Sequence, residues 1–202
     1  MGNITSGFAG MGFGLSLIIA IGPQNIFILK QGLARKHVGA VVLICIVSDA
    51  ILIAVGAGGM GTALRTYPDL IDIIRYAGAI FIVSYGTMAL LRAIKPPKKS
   101  IIEASTDQPL IKAMVTCLAF TWLNPHVYLD TAILLGSVAN APGRNTLTFA
   151  IGAIVASSIW FSSLGYGARF LTPLFLKPIA SRVLDVLVAF LMFAVGFALI
   201  LG

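Results

Sequence analysis

Charge-free apolar runs alternate with short charged connections along this chain. Ile4 to Leu29 carries no charge, and Val38 to Leu64 carries only Asp49. Tyr76 to Leu91 carries none, and its ends can extend with Arg75 and Arg92 snorkelling to the interface. Ala113 to Asn140 holds one acid, Asp130, together with His126. Asn145 to Ala168 and Val186 to Gly202 are again uncharged. A membrane-crossing helix needs roughly 20 mainly apolar residues. The pattern therefore predicts an all-α polytopic membrane protein with six transmembrane helices. The first run has no basic leader and exceeds the apolar core of a signal peptide, so it reads as a membrane helix.

Composition points the same way. The chain of 202 residues is 58% apolar and 10% charged, where soluble domains carry roughly 25% charged residues. Its own core could not hide that much apolar surface, so lipid must serve as part of the solvent. The net charge of +7 sits in loops. Lys30–His37, Arg92–Lys112 and Arg169–Arg182 hold eleven of the fourteen Lys and Arg residues. Basic loops flanking apolar spans follow the positive-inside bias rather than a nucleic-acid footprint. That bias places the first, third and fifth loops in the cytoplasm and both termini outside. Cys45 and Cys117 lie inside apolar runs, without metal-ligand or disulfide spacing, and read as small packing residues.

The two halves of the chain resemble each other. Gly22-Pro23 in span one corresponds to Asn124-Pro125 in span four. Ser48-Asp49 with Gly56-x-Gly58 in span two corresponds to Ser157-Ser158 with Gly165-x-Gly167 in span five. Arg75 to Gly86 in span three corresponds to Asp185 to Gly196 in span six. The offsets are 102, 109 and 110 positions, in consistent order. A three-helix unit repeated once must be inverted, because an odd number of crossings flips the second copy. Inverted repeats are a signature of secondary transporters. The expected organisation is a first repeat over 1–94, a cytoplasmic linker over 95–111 around Pro96-Pro97 and Pro109, and a second repeat over 112–202.

Candidate chemistry gathers at the breaks. A proline inside a helix removes one backbone hydrogen bond and clashes one turn back. In hydrocarbon the freed groups must find partners or line a cavity. Pro23 is followed by Gln24 and Asn25, and Pro125 is flanked by Asn124, His126 and Tyr128. Exposed helix-end carbonyls can hold an ammonium group, and a half-helix N-terminus can hold a carboxylate. The bland alternative is a packing kink whose polar neighbours bond to the backbone. Asp49 lies mid-span, where an aspartate costs roughly 2.5–3.5 kcal/mol on insertion scales. It is expected to face the bundle interior. Asp130 is a second candidate, unless it reaches the outer interface. His126 reads either as a proton relay or as a kink stabiliser, and Trp160 either as cavity lining or as packing. The pairs of small residues and Gly10-x-x-x-Gly14 permit close helix contact, within one chain or across a homodimer.

Several of these segments are specific. Gly22-Pro23-Gln24-Asn25, followed by Leu29-Lys30-Gln31-Gly32-Leu33, resembles the first helix of the lysine exporter (LysE/ArgO-type) family. Leu123-Asn124-Pro125-His126-Val127-Tyr128-Leu129-Asp130-Thr131 is similar to that family's fourth-helix motif, and Asp49 falls at its second-helix aspartate. The resemblance covers essentially the whole chain. It implies a bacterial inner-membrane exporter of amino acids. His126 stands where relatives exporting neutral amino acids typically carry lysine, which implies the branch exporting L-lysine, L-arginine or both.

The resulting expectation is proton antiport, with Asp49 or Asp130 alternately binding a proton and the substrate cation. Outward movement of a cation opposes an inside-negative potential by roughly 2.3 kcal/mol per 100 mV, and proton entry cancels that charge movement. The substrate-binding set is Pro23, Gln24, Asn25, Asp49, Asn124, Pro125, His126, Tyr128, Asp130 and Trp160. No cofactor, resident metal or catalytic residue is expected. The alternatives are export of neutral amino acids, small cations or metal ions on the same fold, and an intramembrane hydrolase using Ser157, Ser158, Ser162 or Ser163. The hydrolase lacks a His-Glu-x-x-His motif, and the spans offer it one histidine.

Overall fold

The computed structural model describes residues 2–19, 22–60, 68–94, 109–175 and 178–201. These residues are helical and contain no strand. The chain runs α1 (Asn3–Ile18), α2 (Pro23–Ala34), α3 (Val38–Val55), α4 (Pro68–Ile94), α5 (Leu110–Trp122) and the short α6 (Pro125–Val127). It continues through a π-helical stretch, Tyr128–Leu135, into α7 (Gly136–Ala139), α8 (Thr146–Gly167), α9 (Thr172–Phe175) and α10 (Pro178–Leu201). Most of the expected linker, 95–111, lies outside the described residues, as does Arg65.

Four stretches are long and apolar enough to cross a membrane: Val38–Gly59, Asp72–Ile94, Thr146–Leu171 and Arg182–Leu201. α1 and α2, which diverge by 85°, pass that test only together, as a broken span or a re-entrant loop, so the total is four or up to five. The fourth of the six expected spans does not pass as one helix. It is broken at Asn124-Pro125, where Asn124 is extended (φ −100°, ψ 108°), and it resumes as a wider π-helix. The proline that marks the span thus also divides it into pieces too short to cross alone.

α1 packs along α8, and α4 along α10. Small residues set both crossings. A methyl group on Gly10 would meet the Phe149 carbonyl, and one on Gly152 would meet the Gly7 carbonyl. The α4–α10 crossing is reciprocal: Gly86 abuts Met192, Ala189 and Phe193, while Gly196 abuts Ile82, Ala79 and Val83. Each member of one trio lies 110 positions from a member of the other. The Gly10-x-x-x-Gly14 face, left open between intrachain and intermolecular contact, packs inside the chain against Phe149 and Ala153 of α8.

Phe120 of α5 forms an aromatic hub with Phe27, Phe81 and Tyr85 at centroid distances of 5.7, 4.9 and 5.0 Å. It ties α2, α4 and α5 together. Large apolar side chains such as Leu43, Ile80, Leu147 and Phe190 instead point outward. An apolar exterior over helices of this length is the surface of a multi-pass membrane protein.

Candidate translocation site

Asp49 sits near the middle of Val38–Gly59, about 15 Å from either end at 1.5 Å per residue. Its residue exposure is 7%, so it faces the bundle and not lipid. Ser157 of α8 donates a hydrogen bond to Asp49 Oδ2 at 2.7 Å. Both side chains are buried. Ser48, beside Asp49, accepts a hydrogen bond from Trp122 Nε1 at 3.2 Å. α3 is thus tied to both α5 and α8.

The two breaks are repaired by their own polar neighbours. Gly22 is extended and Pro23 opens α2, where a proline leaves no helical donor unused. Asn25 Nδ2 donates to the Ile18 carbonyl at 2.9 Å, taking up a group released at the end of α1. Asn25 Oδ1 accepts from Trp160 Nε1 at 3.3 Å. At the second break, Asn124 Oδ1 accepts from the His126 backbone N–H at 3.1 Å and caps α6. Tyr128 Oη donates to the Trp122 carbonyl at 2.8 Å. Asn25, Asn124 and Tyr128 therefore hold the bends open without leaving bare backbone in an apolar region. The packing explanation of the kinks accounts for these three side chains.

It does not account for Gln24 or Asp49. Gln24 Nε2 is buried without a hydrogen-bond partner among the described residues. An unsatisfied buried donor is costly and calls for a reason of its own. The structure links Asn25 and Asp49 through α8, where Trp160, bonded to Asn25, stands one turn from Ser157, bonded to Asp49, with Pro23 and Gln24 just before Asn25 at the start of α2. It does not bring His126 into that group: His126 is exposed. Asp130 is half-buried on the π-helix, a geometry that recurs at functional sites. His126 lies four positions before it in the same helical stretch. Pro125 is buried. Among the described residues no group of three His, Cys, Asp or Glu side chains could hold a metal.

Two features escaped the pattern of charges. Lys30, counted with the first basic loop, lies inside α2 and is 5% exposed. Its Nζ is 2.8 Å from Asp185 Oδ1, and Arg92 Nη2 is 3.4 Å from the same oxygen. A lysine in the last turns of an apolar run reads equally well as a loop residue, so the sequence carries no signal for this pairing. Ser157 reads from the sequence as a repeat partner and as a hydrolase nucleophile, not as the partner of Asp49, although a hydroxyl at the position matching Ser48 is the available hint.

Broken apolar helices joined around a buried carboxylate, with both halves of the chain contributing, define a membrane transporter rather than an enzyme. The family described as LysE type translocator matches residues 15–202, so the chain belongs to that family. It is 40% identical over 182 residues to candidate amino-acid transporters of Mycobacterium bovis and of two Mycobacterium tuberculosis strains, CDC 1551 and H37Rv. Each match covers 90% of this chain and 90% of the relative. No solved structure matches the chain significantly.

Proposed function

We propose that this translocator is a secondary exporter of basic amino acids, L-lysine, L-arginine or both, across the bacterial inner membrane by proton antiport. One observation carries the reading: Asp49 is buried mid-span on the Ser157 hydroxyl, beside a proline-broken helix with an orphaned Gln24 amide. A carboxylate in that setting binds either a proton or an ammonium group, and the two exchange. Gln24 Nε2 and the first amides of α2 are donors for the substrate carboxylate, as at other half-helix ends. Asp130, with His126 beside it, supplies the second acid for the side-chain cation. Asn124, Pro125 and Tyr128 keep the opposing break in place. Trp160 positions Asn25.

Six crossings arranged as two inverted three-helix repeats suit this mechanism, because rocking one repeat against the other exposes a central site alternately. The reciprocal contacts of Gly86 and Gly196 support that arrangement. Cytoplasmic first, third and fifth loops, with both termini outside, follow from the loop charges. A homodimer is compatible with the exposed apolar faces.

The test is counterflow of radiolabelled lysine and arginine in proteoliposomes, with and without an imposed pH gradient. Saturable exchange stimulated by inward-directed protons is the expected result. Normal transport by both Asp49→Asn and Asp130→Asn would sink the mechanism. A second reading, export of neutral amino acids, draws on the half-exposed position of Asp130. If Asp49 alone meets the substrate, one acid serves the α-ammonium of any amino acid. Including threonine and leucine in the same counterflow assay separates the two readings.

A further inference from the structure

An open cleft of about 580 Å³ lies at the end of the bundle that carries the first and fifth loops, away from the Asp49 site. The last turn of α2, the start of α3 and the end of α8 form its walls. Arg35, His37, Gly39 and Arg169 line it, and Gly32 and Gly165 beside them let α2 and α8 approach closely. No acidic side chain lines it among the described residues.

The backbone here is unusual. Arg35 adopts φ 53° and His37 φ 57°, the left-handed region that glycine fills without strain. Arg35 stands where a helix normally ends on glycine: its N–H bonds to the Gly32 carbonyl, and the Lys36 N–H to the Gln31 carbonyl. Holding an arginine in that position costs stability that glycine would not. Arg35 and Arg169 are both exposed at the cleft. The neighbouring surface is apolar: Leu110 lines the cleft, Ile111 follows it at 75% exposure, and Phe170 follows Arg169 at 74%.

Two arginines lining one cleft offer guanidinium donors for the oxygens of a phosphate, and arginine is the usual residue for that role. Large exposed apolar side chains beside them match acyl chains, not water. We propose that this cleft binds the phosphate of an anionic phospholipid headgroup, with Arg35 and Arg169 as its principal contacts. Basic pockets between membrane helices recognise lipid headgroups by this chemistry.

The test uses the full chain purified in detergent, with native mass spectrometry of bound lipid. Phosphatidylglycerol, phosphatidylcholine and soluble glycerol phosphate are offered in separate arms. Phosphatidylglycerol should be retained about tenfold over phosphatidylcholine, with each of Arg35→Gly and Arg169→Gln weakening it about fivefold. Glycerol phosphate should bind far more weakly. Gly39→Leu tests the site by filling it, because a Cβ there already meets the Tyr166 hydroxyl at 3.2 Å. Melting temperature in lipid-free detergent confirms folding, and Arg35→Gly, which relieves the left-handed backbone, keeps the test open should another variant unfold. Equal retention of the two lipids, or undiminished phosphatidylglycerol binding by all three variants, would overturn the proposal. Glycerol phosphate binding as tightly as phosphatidylglycerol would make this a soluble-phosphate site and overturn the lipid assignment.

Discussion

Lys30 and Asp185, 155 positions apart in the chain, form a buried ion pair with Nζ 2.8 Å from the carboxylate oxygen. Arg92 shares that oxygen from α4. Arg182, one turn before Asp185 on α10, donates from Nε to the Ala93 carbonyl at 2.6 Å. α2, α4 and α10 are therefore pinned together at one end of the bundle. Removing one member of a buried pair leaves an uncompensated charge, which is worse than removing both.

Asp185→Asn should accordingly destabilise the protein by about 3–5 kcal/mol. The double variant Lys30→Met with Asp185→Leu should recover most of that loss, because Arg92 keeps 39% of its side chain exposed and can turn to water. Thermal melting of the purified protein in detergent reads both effects. A double variant no more stable than Asp185→Asn would show that the pair does more than balance charge.

Asp49 and Ser157 should separate transport from folding. Asp49→Asn keeps the size of the side chain and a hydrogen bond to Ser157, so the protein should fold and melt near the wild-type temperature. It should lose proton-stimulated efflux. Ser157→Ala removes a hydrogen bond to a charged group, worth about 1.5–3 kcal/mol. Its effect should appear as weakened transport with a displaced pH dependence, measured as initial efflux rates across a pH series.

The α1–α8 crossing predicts a sharp contrast between neighbouring glycines. A Cβ on Gly10 would run into the Phe149 backbone, whereas one on Gly12 meets nothing within 4 Å. Gly10→Ala should cost about 1–3 kcal/mol as the helices are forced apart. Gly12→Ala should be neutral or slightly stabilising. Melting curves of the two variants decide this, and equal effects would contradict the packing.

Cys45 and Cys117 are fully buried, with their sulfurs 3.2 Å apart between α3 and α5. Neither thiol should react with a membrane-impermeant maleimide in the folded protein, and both should react after denaturation. Mass spectrometry of the labelled chain gives the count. Rapid labelling of either thiol in the native state would mean that α3 and α5 separate more readily than their packing implies.

Much of this was legible in the order of residues. Charge-free runs located the helices, because lipid tolerates backbone only where its hydrogen bonds close locally. Pro23 and Pro125 located the breaks, since a proline cannot continue the hydrogen-bond ladder. Asp49 stood out because an acid in an apolar run must turn inward. The π-helical widening after Pro125 was not legible, because one extra residue per turn leaves the hydrophobic pattern nearly unchanged. Nor was it legible that Asn25 and Tyr128 bind the carbonyls of Ile18 and Trp122. A polar residue beside a proline reads alike whether it serves a substrate or the backbone.

Local physics acts over a few residues, so sequence alone determined where the long apolar helices lie, where the chain bends and which acid is driven inward. Partners were decided only in three dimensions. Ser157 for Asp49, Asp185 for Lys30, and the meeting of Arg35 with Arg169 at one cleft each join segments more than a hundred positions apart. Such pairings depend on which helix faces pack, and small residues at the crossings, not the charges themselves, set those faces.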